Sequence, residues 1–190
     1  MNKKVLDFTL RNKSNLVIFS IIFFSIVLDL IFHSHNHYIP KWDQGYHLSN
    51  LFRIYNIFEA KDLDFFDQWN KLWTISDTYR GPFTYLVSSI FLGIFGKNYE
   101  NSLLSNQIFS IITILCIYNF SKEIGNKKAG LWGALIFAFN PYIFDQRVDY
   151  LIDLSQVCFI NLNFYVLYKF FKSQESLLLS LVLGITLGFV

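Results

Sequence analysis

Apolar residues dominate four runs along the chain, at 15–32, 103–120, 129–144 and 154–171, each long enough to be read as a membrane-crossing helix. A further run, 82–96 ("PFTYLVSSIFLGIFG"), opens with Pro82 and contains Gly93 and Gly96. As a helix it would rise only about 22 Å against a hydrocarbon core of roughly 30 Å, so it is expected to lie in the interface or re-enter rather than cross. The last run, "LLLSLVLGITLGFV" at 177–190, stops without a polar flank. A crossing helix takes about 20 residues, so the chain reads as the N-terminal part of a longer protein, truncated after Val190. The first run lacks a small-residue cleavage site and reads as a retained anchor. The pattern predicts an all-α, polytopic membrane protein with about five transmembrane helices over 1–190.

Between the first two crossings lies a polar-to-amphipathic stretch, 33–102, far longer than an ordinary loop. In "YHLSNLFRIYNIFEA", Leu48, Leu51, Phe52, Tyr55 and Phe58 fall on one helical stripe, with Arg53, Asn56 and Glu59 elsewhere. That spacing suits a helix lying along the membrane surface. "FFDQWNKLW" adds Phe65, Phe66, Trp69 and Trp73, residue types that favour headgroup depth. The stretch is predicted to consist of juxtamembrane helices.

Composition sharpens this picture. Hydrophobic residues make up 53% of the 190 and charged residues 16%, well below the roughly 25% of soluble domains. A net charge of +2 gives no footprint for nucleic acid. Cys116 and Cys158 both fall in apolar runs and read as packing residues rather than a disulfide or metal pair. With 82–96 left uncrossed, the N-terminal tail, 121–128 and 169–175 share one side and carry nine Lys and Arg against three acids. Residues 33–102 and 145–153 share the other side, with seven cations against ten acids. That asymmetry follows the positive-inside rule and places the acidic segments outside the cell membrane.

Candidate chemistry gathers on that outer side. In "IPKWDQGYHLSN", Asp43 follows the first crossing and precedes Gly45 and Tyr46. A carboxylate at a low-dielectric boundary can serve as general base for a hydroxyl acceptor; the alternative role is a helix N-cap. A second acidic stretch, "FDQRVDYLIDLS", carries Asp145, Arg147, Asp149 and Asp153. Asp149 and Asp153 stand four apart and would share a face if helical. Arg147 and Arg80 are the expected partners of Asp153, or alternatively ligands for a phosphate. His33, His35 and His37 alternate and could meet a metal only in an extended chain; a polar membrane-exit segment is the better reading. No P-loop, dinucleotide fingerprint, H-E-x-x-H or G-x-S-x-G motif occurs.

In order along the chain, four segments resemble a known family. "KWDQGYHLS" places an Asp where that family usually has Asp-Glu and a downstream Tyr. "YRGPFTYLVSSIFLGIFGKN" is similar to its Lys-Pro-Pro-Leu-Tyr stretch and terminal Phe-Gly. "GNKKAGLWGALIFAFNPY" resembles its small-residue third span, and "DYLIDLSQVCFINLNFY" its second acidic motif. The chain resembles the N-terminal part of a GT-C superfamily glycosyltransferase, of the protein O-mannosyltransferase and aminoarabinose transferase type. The resemblance implies sugar transfer from a polyprenyl-phosphate donor to a lipid, glycan or protein acceptor at the outer face of the bilayer. It implies catalytic roles for Asp43 and Asp153, and a carrier-phosphate contact at Arg80. Gln44, Tyr46, Arg147 and Asp149 complete the expected substrate-binding set. Gln44 departs from the family, standing where a second carboxylate is common. No cofactor is implied beyond a possible divalent cation.

The alternative is a non-enzymatic or transporter-like multi-pass protein. A transporter is expected to carry polar groups at mid-span. Asp29 instead lies near the outer end of its run, and Asn106, Gln107, Asn140, Asn161 and Asn163 are scattered.

Overall fold

The computed structural model describes residues 3–36, 42–75, 82–173 and 176–188. Among them there is no strand. Ten helices follow in order: α1 (Lys3–His35), α2 (Trp42–Glu59), α3 (Phe65–Ile75), α4 (Phe83–Phe95), α5 (Tyr99–Ser102), α6 (Leu104–Ile124), α7 (Lys127–Phe139), α8 (Pro141–Val148), α9 (Asp153–Ser173) and α10 (Leu177–Leu187).

Two helical stretches among the described residues are long and apolar enough to cross a bilayer, Lys13–His35 and Tyr99–Ile124. A third crossing results if α8 and α9, bent by 118° at their junction, count as one broken span. The run expected over 129–144 is not one helix. α7 ends at Phe139, and Asn140, with extended backbone, accepts from the Tyr142 and Ile143 amides to start α8 with Pro141 at its first position. An Asn cap followed by Pro stops one helix and starts another, because Pro has no N–H to continue the first ladder. α4 holds 13 residues and rises about 20 Å, too short to cross unaided.

α6 is the hub, packing against α7 on one side and α9 on the other; α1 lies on α7, and α10 on α9. Small residues let α6 and α7 approach closely. Gly130, Ala134 and Ala138 are buried at four-residue spacing on α7. A Cβ at Gly130 would stand 2.6 Å from the Tyr118 carbonyl oxygen, inside contact distance. Such small-residue stripes are how membrane helices gain packing where lipid supplies no hydrophobic drive.

The bundle has two chemically distinct ends. At one, Glu123 of α6 pairs with Lys169 at 2.9 Å and Lys172 at 2.6 Å, both on α9, close to the chain stretch bearing Lys122, Lys127 and Lys128. At the other, α2, α3, α4 and α5 cover the acidic stretch. Leu51, Ile54 and Ile57 of α2 share a core with Tyr85 and Leu92 of α4, Leu103, and Tyr150 and Ile152 from the α8–α9 turn.

α2 is helical as expected, but its inward face differs from the apolar stripe. Gln44, His47, Asn50, Leu51, Ile54 and Ile57 are buried, whereas Phe58 is exposed. Of the polar members, His47 meets a partner there, its Nδ1 lying 2.7 Å from the Tyr85 hydroxyl, whereas the Asn50 Nδ2 is buried without a hydrogen-bond partner. α3 keeps Phe65, Phe66, Trp69 and Trp73 exposed and seats Leu72 in the core. The ring ladder Phe65–Trp69–Trp73 is stacked and then edge-on, a rigid aromatic face.

Candidate functional site

Hydrogen bonds tie the N-terminal turns of three helices together at the acidic end. His47 on α2 meets Tyr85 on α4, and Thr84 of α4 meets Ser155 of α9, hydroxyl to hydroxyl at 2.5 Å. One turn further on, Ser88 of α4 meets Ser105 of α6 at 2.7 Å. Each pair is buried, and Ser88, Ser105 and Ser155 also donate to the carbonyls of Thr84, Ser102 and Ile152, so these hydroxyls keep a bond even where the cross-helix partner is removed. Burial also pushes the Tyr150 phenol above its ordinary range, leaving it a neutral part of this wall.

Asp43 and Asp153 sit on two of these N-terminal turns, and both are exposed. Asp43 is the second residue of α2, four before His47; Asp153 opens α9, two before Ser155. A carboxylate in a first helical turn is favoured by the positive end of the helix dipole. α2 begins at Trp42, so Gly45 lies within the helix rather than acting as a hinge after Asp43. Tyr46 is exposed and Gln44 is buried beside it. Arg80 lies outside the described residues.

The second acidic stretch departs from its expected geometry. Asp149 has extended backbone (φ −106°, ψ 142°) and caps the end of α8, so it and Asp153 do not share a helical face. The turn between them is pinned from beneath. Asn106 of α6 donates through Nδ2 to the Asp149 carbonyl at 2.8 Å and to the Arg147 carbonyl at 3.2 Å.

Arg147 does not pair with Asp153. Its Nε donates to Asp29 Oδ2 at 2.8 Å, its Nη2 to Asp29 Oδ1 at 3.0 Å, and its Nη1 to the Ala138 carbonyl at 2.6 Å. Both charged side chains are almost wholly buried, at 1% and 0% exposure. Gln107 adds a third donor to Asp29 at 3.0 Å, and Phe144 covers the guanidinium. The fork-on-carboxylate geometry matches the fixed donor pattern of arginine. Its third arm takes a carbonyl left without a helical partner where α7 stops. The guanidinium is thereby committed to structure, joining α1, α6, α7 and α8 directly under the acidic turn.

The sequence reading undervalued this network. Asp29 is the one acid in the first apolar run, and Asn106 and Gln107 interrupt the next. Read along the chain they look scattered; in the fold they converge on Arg147 and the turn after it. The alternating histidines do not converge. His33 and His35 are on helical α1, where positions two apart point to different sides, and His37 lies outside the described residues. Among the described residues, no three His, Cys, Asp or Glu side chains form a metal-binding group, and Cys116 and Cys158 are buried free thiols.

No curated protein and no solved structure matches the chain. The sequence profile of one family, described as dolichyl-phosphate-mannose-protein mannosyltransferase, matches residues 79–190. The matched region runs from just before α4 to the end of the chain, and so includes Asp149, Asp153 and the Arg147 anchor but not Asp43. The match covers more than half of the chain, and the chain belongs to the dolichyl-phosphate-mannose-protein mannosyltransferase family of membrane glycosyltransferases.

Proposed function

We propose that the protein transfers a sugar, mannose-like in class, from a polyprenyl-phosphate carrier to a lipid, glycan or protein acceptor at the outer face of the cell membrane. The observation that carries this reading is the tying together of the N-terminal turns of α2, α4 and α9, which brings Asp43 and Asp153 to one end of the bundle. Transfer to a hydroxyl needs a base for the incoming oxygen and electrostatic relief for the departing phosphate. Asp43 is assigned as the base. Asp153 orients the acceptor, and Asp149 and Tyr46 border the same region. Arg80, two residues before Pro82 at the start of α4, is assigned to the carrier phosphate; a cation there neutralises charge that builds on the leaving group. Arg147 supports the turn from below and Gln44 packs the α2 wall, so neither is assigned to substrate. The carrier's lipid tail requires the site to lie at the bilayer surface, where α3 turns its aromatic face outward.

The outward orientation rests on the split between the lysine-rich and acidic ends. Single cysteines at position 62, in the α2–α3 connection, and at position 126, in the α6–α7 turn, test it with a membrane-impermeant thiol reagent. Intact cells should label 62 strongly and leave 126 unlabelled until the membrane is opened. The reverse result would place the acidic end in the cytoplasm and overturn the outer-face assignment. The donor is tested in proteoliposomes of the complete protein: labelled sugar should move from polyprenyl phosphate and not from a nucleotide sugar. Transfer from the nucleotide sugar alone would refute the carrier assignment.

A further inference from the structure

Away from the acidic end, an apolar groove runs between α1 and α7, and it has a charged mouth. Val17, Ile21 and Leu135 line both its halves. One half, of about 510 Å³, continues past Phe24 to Phe139; the other, of about 260 Å³, continues past Trp132 to Lys128. Together they reach the size of sites that hold small-molecule ligands. Lys13, exposed on α1, lies one helical turn before Val17 and so on the same face. Lys127 and Lys128 are exposed at the start of α7, whose positive dipole end adds to their field. Of the three acids on this side, Glu123, the one whose side chain lies among the described residues, is already bound by Lys169 and Lys172 on the far side of α6.

We propose that this groove binds an anionic phospholipid, with its phosphate between Lys13 and Lys128 and an acyl chain lying along Trp132, Leu135 and Phe24. Two features select this occupant. The cations stand only at the lysine-rich end, where a headgroup would sit, while the rest of the lining is apolar apart from Ser20. A zwitterionic lipid would fill the groove equally well but would gain far less at its mouth. Each lysine near a membrane surface favours an anionic headgroup by about fivefold. The site is distinct from the sugar-transfer region, which lies at the opposite end of the bundle.

Trp132 is exposed within the groove and serves as a built-in reporter. In the chain carrying Trp42→Phe, Trp69→Phe and Trp73→Phe, Trp132 is the remaining tryptophan. Reconstitution is into phosphatidylcholine vesicles containing equal, small fractions of brominated phosphatidylglycerol or brominated phosphatidylcholine. The anionic lipid should quench Trp132 with at least a fivefold higher apparent association, and Lys13→Gln with Lys128→Gln should bring the two lipids to parity. Lys61→Gln with Lys71→Gln, at the other end of the molecule, should leave the preference intact. Equal quenching by both lipids, or equal loss from both lysine pairs, would overturn the site. Weak quenching by either lipid would show the groove covered by protein, another segment or another copy, and would also overturn it. Native mass spectrometry of the unsubstituted chain from mixed micelles gives an independent reading: retained phosphatidylglycerol over phosphatidylcholine is expected, and equal retention refutes the proposal.

Discussion

Asp29→Asn should destabilise the bundle by about 3–5 kcal/mol, the usual loss when one partner of a buried ion pair is removed. The magnitude follows from what remains. Arg147, at 0% exposure, would keep its charge beneath the acidic turn with only an amide where a carboxylate had accepted two of its N–H groups. Gln107, too, would be left to compete for the single acceptor oxygen the amide keeps. Removing both charges together, as Asp29→Asn with Arg147→Gln, should recover much of the loss, because no uncompensated charge is left behind. The measurement is the denaturant midpoint of the purified protein in detergent, read by circular dichroism. A single-variant loss below about 1 kcal/mol, or a double variant worse than the sum of the singles, would mean that the pair is not the anchor described.

This anchor also shows where sequence reading stopped. Helices were legible because apolar runs at 15–32, 103–120 and 154–171 carry the signal by length and composition; α1 and α6 there contain stretches long and apolar enough to cross, whereas α9 reaches that standard only together with α8. That α2 and α3 are helices was legible from stripe spacing and aromatic clusters. The break at Asn140 was harder: the apolar run passes through it, and only the Asn-Pro pair marks the stop. The inward face of α2 was not legible from apolar spacing, because it is built on polar pairs such as His47–Tyr85, whose members lie 38 residues apart. Likewise, nothing local joins Asp29 to Arg147 across 118 residues. For the candidate site, Asp43 and Asp153 were singled out from their positions beside crossings. Their common placement depends on the Thr84–Ser155 and His47–Tyr85 ties, which only the fold shows. The i, i+4 spacing of Asp149 and Asp153 misled because the chain leaves the helix at Asp149.

The most direct test of sugar transfer at the acidic end is made on the two carboxylates themselves. Both are exposed and both lie in first helical turns, so exchanging either for its amide removes charge with little packing change; the lost dipole interaction is worth only about 0.3–1 kcal/mol. Folding and membrane insertion should therefore survive, which separates a chemical role from a structural one. Removing a general base costs about 10²–10⁴-fold in rate. The deciding measurement is the initial rate of labelled sugar transfer from a polyprenyl-phosphate donor by the complete protein in proteoliposomes, comparing parent, Asp43→Asn, Asp153→Asn and Asp149→Asn at equal inserted amounts. The account predicts a fall of at least a hundredfold for Asp43→Asn, a large fall for Asp153→Asn and a milder one for Asp149→Asn. Transfer by Asp43→Asn and Asp153→Asn within about twofold of the parent would contradict it, leaving both acids as helix-start residues and placing the chemistry elsewhere in the protein.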